Sequence, residues 1–229
     1  MRYCKLISAG AVLAASIGFA APAMAIPTMY EITTYVGSGG PIIGDYGTVT
    51  LTQVGSNVAV NWTRKPCCGL VPTGNTPDVL DFYLTGVSTP LSVTGITTGF
   101  NLDNANGGSY GTGSSGSFNF AIDCPTVKQG GLGVCGTGGN DPYLGTLDFT
   151  VNNVTISDFA ANDVGAHFAV DICDGISTTI DHPGCTGTPG ITGLAIDTST
   201  RTVPEPVTLS LFGAGLAGAA ALRRRRKKA

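Results

Sequence analysis

Short stretches in which apolar and polar residues alternate dominate the middle of the chain. Between residues 26 and 203 we find no long apolar stripe of helical period, and the runs rich in Thr, Val and Ile have a period of two. These runs predict nine strands, at 29–36, 48–54, 58–63, 79–84, 91–100, 117–122, 144–155, 167–172 and 193–197. Short strands separated by Gly-rich turns predict one all-β domain over residues 26–202, a jelly-roll-like β-sandwich of two sheets.

One hairpin is marked most clearly. The runs 48–54 and 58–63 flank the dipeptide Gly55-Ser56, and glycine at the first turn position supplies the positive φ that a type II′ turn requires. Two stretches rich in Gly, Ser and Asn, at 101–116 and 128–140, predict long loops.

The first 25 residues have the organisation of a secretory signal peptide. Arg2 and Lys5 precede an apolar run at 6–21, and small residues follow at Ala23 and Ala25. We therefore expect a signal helix over residues 1–25 that is cleaved after Ala25. The alternative, an uncleaved anchor or a buried helix, is less favoured because the apolar run is short.

Residues 203–229 combine three features in a fixed order. Pro204, Glu205 and Pro206 precede an apolar segment at 207–222, and a basic cluster follows. A helix over 207–222 would reach about 24 Å, short of a hydrocarbon core of about 30 Å, so we expect a transient transmembrane anchor, with a permanent tail anchor as the alternative. The basic residues are expected to stay in the cytoplasm, with the preceding domain on the other side: Arg223, Arg224, Arg225, Arg226, Lys227 and Lys228.

This three-part order resembles the PEP-CTERM sorting signal of bacterial exported proteins. The resemblance implies that an exosortase, a membrane transpeptidase, processes the chain near Pro206 after signal peptidase has removed the first segment. It also implies a protein at the cell surface or outside the cell, with a non-catalytic structural or interaction role and with exopolysaccharide or biofilm as candidate surroundings.

Removal of both ends changes the charge of the chain. Residues 26–206 hold fifteen carboxylates and four cationic side chains, a formal net charge of −11 compared with −3 for the whole chain. Such a surface repels phosphate backbones, which argues against nucleic-acid binding.

Six cysteines remain once Cys4 is removed, and an even number in an exported chain favours disulfides. Local spacing favours the pairs Cys124–Cys135 and Cys173–Cys185. Cys67 and Cys68 are then left for a vicinal disulfide or for pairing with other loops. A zinc site is not favoured because no C-x₂₋₄-C pair occurs.

The motifs tested for catalysis and nucleotide binding fail on their context. Two G-x-G-x-x-G matches, at 111–116 and 131–136, do not open a helix after a buried strand, and no G-x-S-x-G elbow occurs. His167 and His182 are more typical of packed or solvated residues than of metal ligands. We therefore expect neither enzymatic activity nor an organic cofactor.

Calcium is the one candidate ligand for a small site. The stretch 101–108 is rich in side-chain oxygens, and we take Asp103, Asn101 and Asn106 as candidate calcium ligands. The stretch departs from the EF-hand pattern, because position twelve counted from Asn101 is Thr112 and not the glutamate of an EF-hand. Ordinary turn formation is the alternative explanation for these Asn and Asp residues.

A second function follows from the calcium prediction. A calcium-dependent carbohydrate-binding module or adhesin would fit the acidic surface and the sandwich scaffold. The content of aromatic residues, 7%, and a single tryptophan, Trp62, argue against extensive sugar stacking.

Overall fold

The computed structural model describes residues 26–37, 41–66, 68–72, 77–111, 113–125, 135, 142–174 and 191–202. In these ranges the chain has two short 3₁₀ helices, Gly113–Ser115 and Ile156–Asp158, and eleven strands, which confirms the all-β class. The strands are β1 (Thr28–Tyr35), β2 (Ile42–Val54), β3 (Asn57–Arg64), β4 (Cys68–Leu70), β5 (Asp78–Phe82), β6 (Val93–Thr94), β7 (Asn101–Leu102), β8 (Phe120–Asp123), β9 (Leu147–Val151), β10 (Phe168–Asp174) and β11 (Ile191–Thr202).

No helix in the described ranges is long and apolar enough to cross a membrane. The predicted signal helix and the apolar segment at 207–222 lie outside those ranges.

All the strands belong to a single sheet. The hydrogen-bonded order is β6-β9-β3-β2-β1-β11-β10-β5-β8-β7. The remaining strand, β4, is not part of this order and pairs with β10. Every pairing is antiparallel. The first strand pairs with the last in the middle of the sheet, so that Thr28 lies opposite Thr202.

The sheet folds over so that its two halves face each other. The ring of Phe82 on β5 lies 5.8 Å from Phe120 on β8 and also 5.8 Å from Phe149 on β9, although β5 and β9 are far apart in the strand order. The result is a nearly closed, barrel-like sheet. The predicted division into two sheets is not confirmed, because backbone hydrogen bonds connect the strands into one.

The β2–β3 hairpin confirms the strongest local prediction. Its turn is Gly55-Ser56, with φ of 62° at Gly55, as a type II′ turn requires. The Gln53 side-chain amide donates hydrogen bonds to the carbonyls of Gly55, Asn57 and Val154, at 3.0 to 3.1 Å. This side chain therefore joins the hairpin to the segment that follows β9.

The predicted strand at 91–100 is wrong over most of its length. Its described extended part is β6, Val93–Thr94, because Gly95 and Gly99 adopt φ of 63° and 92° and interrupt the extended backbone. Conversely, β4 and β7 were not predicted, since three-residue and two-residue strands carry no measurable period.

The main hydrophobic core lies between the two facing halves of the sheet. Its largest fully buried side chains include Trp62, Phe82, Phe120 and Phe168. A second, smaller cluster lies elsewhere and includes Tyr110, Phe118, Ala121, Ala166, Ala169 and Ile196.

Truncation of Phe82 is expected to destabilise the domain strongly. Phe82 is 0% exposed and its ring lies 5.8 to 6.0 Å from three other phenylalanine rings, so Phe82→Ala should lower the free energy of unfolding by about 3–5 kcal/mol. Ile43→Thr is the control, because Ile43 is 86% exposed and its replacement should cost less than about 0.5 kcal/mol. Urea unfolding measures the free energy of unfolding of both variants. A similar loss of stability in the two would contradict the placement of Phe82 in the core and of Ile43 on the surface.

Candidate functional site

Three aspartates from separate parts of the chain meet at one end of the sheet. Carboxylate oxygens of Asp78, Asp103 and Asp123 lie within 4.8 Å of one another. Asp78 begins β5 and pairs directly with Asp123, which ends β8. Asp103 follows β7, and its backbone N–H donates a 3.0 Å hydrogen bond to the Ala121 carbonyl. We call these three residues the aspartate cluster.

A fourth carboxylate, Asp81, lies buried beside the aspartate cluster. Asp81 is 3% exposed and lies opposite Ala121 on β8. Because Ala121 and Asp123 are two residues apart on one strand, the side chains of Asp81 and Asp123 lie on the same face of the sheet. The register shift between Asp78 and Leu80 is a strand irregularity that brings Asp78 opposite Asp123.

The smaller hydrophobic cluster covers this face. Tyr110 and Phe118 exchange backbone hydrogen bonds of 3.0 and 2.8 Å and belong to the same cluster as Ala121 and Ala169. These two alanines lie on either side of Asp81 in the sheet, on β8 and β10. The Tyr110 hydroxyl forms a hydrogen bond with Asp103, so the covering segment is tied to the aspartate cluster.

Burial and mutual repulsion raise the pKa values of these carboxyls. The pKa of Asp123 rises to about 8, first because of burial and then because of the charges of Asp103 and Asp78. The pKa of Asp81 lies well above its ordinary value, again chiefly because of burial, with Asp171, Asp78 and Asp123 adding repulsion. Without a cation, part of this group therefore holds protons near neutral pH.

The predicted calcium ligands are only partly brought together. Asp103 belongs to the aspartate cluster, and Asn101 pairs with Asp123 across strands β7 and β8. The Asn106 backbone N–H instead donates to the Asn104 side-chain oxygen at 3.2 Å, which is turn chemistry. Asp78 and Asp123 could not be identified as site residues from the sequence, because neither lies near Asp103 along the chain and no local pattern links the three.

The described cysteines are consistent with an oxidised protein. Cys124 and Cys135 form a disulfide, as their spacing predicts. Cys68 and Cys173 each also take part in a disulfide bond. Cys67 and Cys185 lie outside the described residues.

His167 and Asp197 form the one described acid–imidazole pair, with 3.0 Å between Nδ1 and Oδ2. Asp197 also accepts hydrogen bonds from the backbone N–H groups of His167 and Phe168, both at 2.7 Å. The Tyr30 ring lies 4.7 Å from the imidazole, and burial, together with the charge of Asp197, raises the pKa of Tyr30 to about 12. This arrangement holds the start of β10 against β11. His182 lies outside the described residues.

Trp62 cannot stack against a sugar. It is 0% exposed and packs in the main core.

An open hollow of about 450 Å³ is lined by Tyr83, Ser117, Asn162 and Asp163. The polar side chains of this hollow form hydrogen bonds with nearby backbone groups. The Asn162 side-chain amide donates to the Ser115 carbonyl at 2.9 Å, and the Asp163 carboxylate accepts from the Ser117 backbone N–H at 3.0 Å.

The raised pKa of Asp123 predicts a pH dependence of stability in metal-free buffer. Between an ordinary value near 4 and about 8 the unfolded chain has lost this proton while the folded chain keeps it, so raising the pH favours unfolding. We expect a lower melting temperature at about pH 8 than at about pH 5, and a smaller difference in Asp123→Asn. An equal pH dependence of the melting temperature in the unaltered protein and in Asp123→Asn would contradict the assignment of this effect to Asp123.

Comparisons with known proteins identify one segment of the chain. The family model for the PEP-CTERM protein-sorting motif matches residues 202–226, which contain Pro204, Glu205, Pro206 and the first four residues of the basic cluster. These side chains, and the predicted cleavage residues Ala23 and Ala25, lie outside the described residues. No curated protein and no solved structure matches the chain. The chain is therefore a protein that carries a PEP-CTERM protein-sorting motif, at residues 202–226.

Proposed function

We propose that the protein is an exported, non-catalytic component of the bacterial cell surface, delivered by signal peptidase and exosortase. The observation that carries this proposal is the PEP-CTERM protein-sorting motif at residues 202–226. Such a motif implies export, processing by an exosortase and sorting to the cell surface. In this proposal the β-domain is the cargo, and its role outside the cell is structural or adhesive.

The placement of the domain ends supports this route. Thr28 on β1 lies opposite Thr202 on β11, so the described domain begins and ends on neighbouring strands. The matched motif starts at residue 202, where β11 ends. Loss of the chain after about Pro206 would therefore leave the eleven described strands intact.

The composition of the domain supports a role outside the cell. Disulfides such as Cys124–Cys135 persist in oxidising surroundings and not in a reducing cytoplasm. The carboxylates outnumber the cationic side chains, which favours solubility outside the cell. Exopolysaccharide is the partner class that we propose. The alternative of a carbohydrate-binding module has less support, because Trp62 is buried.

Terminal mapping of the exported protein tests the sorting route. The full chain is produced in a bacterium that contains an exosortase, and the exported form is analysed by mass spectrometry. We expect a first residue of Ile26 and loss of the segment after about Pro206. Replacement of Pro204, Glu205 and Pro206 by alanine should leave the basic cluster attached and keep the protein in the membrane fraction.

The matched control replaces Thr198, an exposed residue of β11 outside the matched segment, by alanine. This variant should be processed like the unaltered chain, and a strain without exosortase should accumulate the uncleaved form. An intact basic cluster in the exported, unaltered protein would contradict the proposal. Absence of the protein from the exopolysaccharide fraction would contradict the proposed partner alone.

A further inference from the structure

Two described cationic side chains, Lys65 and Arg64, bind groups outside the aspartate cluster. Lys65 pairs with Asp45 at 2.9 Å. Arg64 donates hydrogen bonds to the carbonyls of Leu144, Pro66 and Cys68, at 2.7 to 3.2 Å. The charged groups that raise the pKa of Asp81, after burial, are the carboxylates of Asp171, Asp78 and Asp123.

Two buried carboxylate oxygens in this region have no hydrogen-bond partner. They are Oδ1 of Asp81 and Oδ1 of Asp123. Asp81 is 3% exposed and shares the face of the sheet that carries Asp123. A buried polar atom without a partner costs about 1–3 kcal/mol, and more when it is charged. The fold therefore retains a cost that a bound cation would offset.

The donor set is suited to a hard divalent cation. The aspartate cluster offers oxygen atoms alone, with no histidine or cysteine, which favours calcium or magnesium over zinc. Calcium binds oxygens at about 2.3–2.6 Å, so oxygens on opposite sides of one ion are separated by about 5 Å and neighbouring ones by less. The carboxylate oxygens of the three residues lie within 4.8 Å of one another, close enough for all three to contact one ion.

We propose that Asp78, Asp103 and Asp123 bind one calcium ion at the β5–β8–β7 end of the sheet, with the buried carboxylate of Asp81 beside them on the same face of the sheet. The ion links β5, β8 and the residue after β7, which is the two-residue strand at the end of the hydrogen-bonded order. Tyr110 positions Asp103 through its hydroxyl. The site differs from the contiguous loop ligands that the sequence suggested, because two of its three ligands come from neighbouring strands.

This site is independent of the sorting route. Calcium binding does not require the residues after Thr202, and processing near Pro206 does not require calcium. Failure of either experiment therefore leaves the other proposal standing.

Calorimetric titration with calcium chloride alone tests the site on the exported protein after treatment with a chelator. We expect saturable binding of one ion, with a dissociation constant of about 10⁻³ M or lower, and a melting temperature that rises with the calcium concentration. Asp103→Asn and Asp123→Asn should each weaken binding by about tenfold or more. Sodium chloride at matched ionic strength should leave the melting temperature unchanged.

Asp45→Asn is the matched control, since it removes the same charge from an exposed residue paired with Lys65. It should bind calcium like the unaltered protein. Near-UV circular dichroism shows whether each variant is folded, and Asp103→Asn, at a half-buried position, provides a second test if Asp123→Asn does not fold. The absence of saturable binding up to about 10 mM calcium, or equal weakening by Asp45→Asn and Asp103→Asn, would overturn the proposal.

Discussion

The pairing of β1 with β11 is the constraint on which the rest of the domain depends. In the hydrogen-bonded order these two strands stand at the centre, with β2, β3, β9 and β6 on one side and β10, β5, β8 and β7 on the other. They come from opposite ends of the described chain, so the sheet is continuous only once its last strand is in place. Contacts of such long sequence separation carry a large loop-closure cost, which the facing aromatic core offsets. The sorting motif then begins where this central strand ends.

The two faces of β5 show how one sheet serves two purposes. Leu80 and Phe82 are buried in the main core, whereas Asp81, between them, shares its face with Ala121 and Ala169. Alternation along the strand separates an apolar face, which stabilises the fold, from an acidic one. Small residues beside Asp81 leave room for its carboxylate, and Tyr110 and Phe118 of the same region restrict its access to water. The stability of the domain and the chemistry of the aspartate cluster are therefore set by adjacent residues of the same strand.

Features of short range could be predicted from the sequence, and features of long range could not. The Gly55-Ser56 turn, the all-β class and the Cys124–Cys135 disulfide each depend on residues within a dozen positions. The single sheet depends on which strands pair, and alternation alone does not encode partners. The aspartate cluster depends on a register shift between Asp78 and Leu80, so the loop around Asp103 indicated one of its three members and could not indicate the other two. Conversely, the sorting motif was evident in the sequence because its order of residues is itself the signal.

A comparison of two truncated chains tests the central claim most directly. A chain of residues 26–206 keeps β11, and a chain of residues 26–190 lacks it. If the β1–β11 pairing closes the sheet, the longer chain will unfold cooperatively on heating and the shorter one will show no cooperative transition. Cooperative unfolding of the chain without β11, at a melting temperature close to that of the longer chain, would contradict this account.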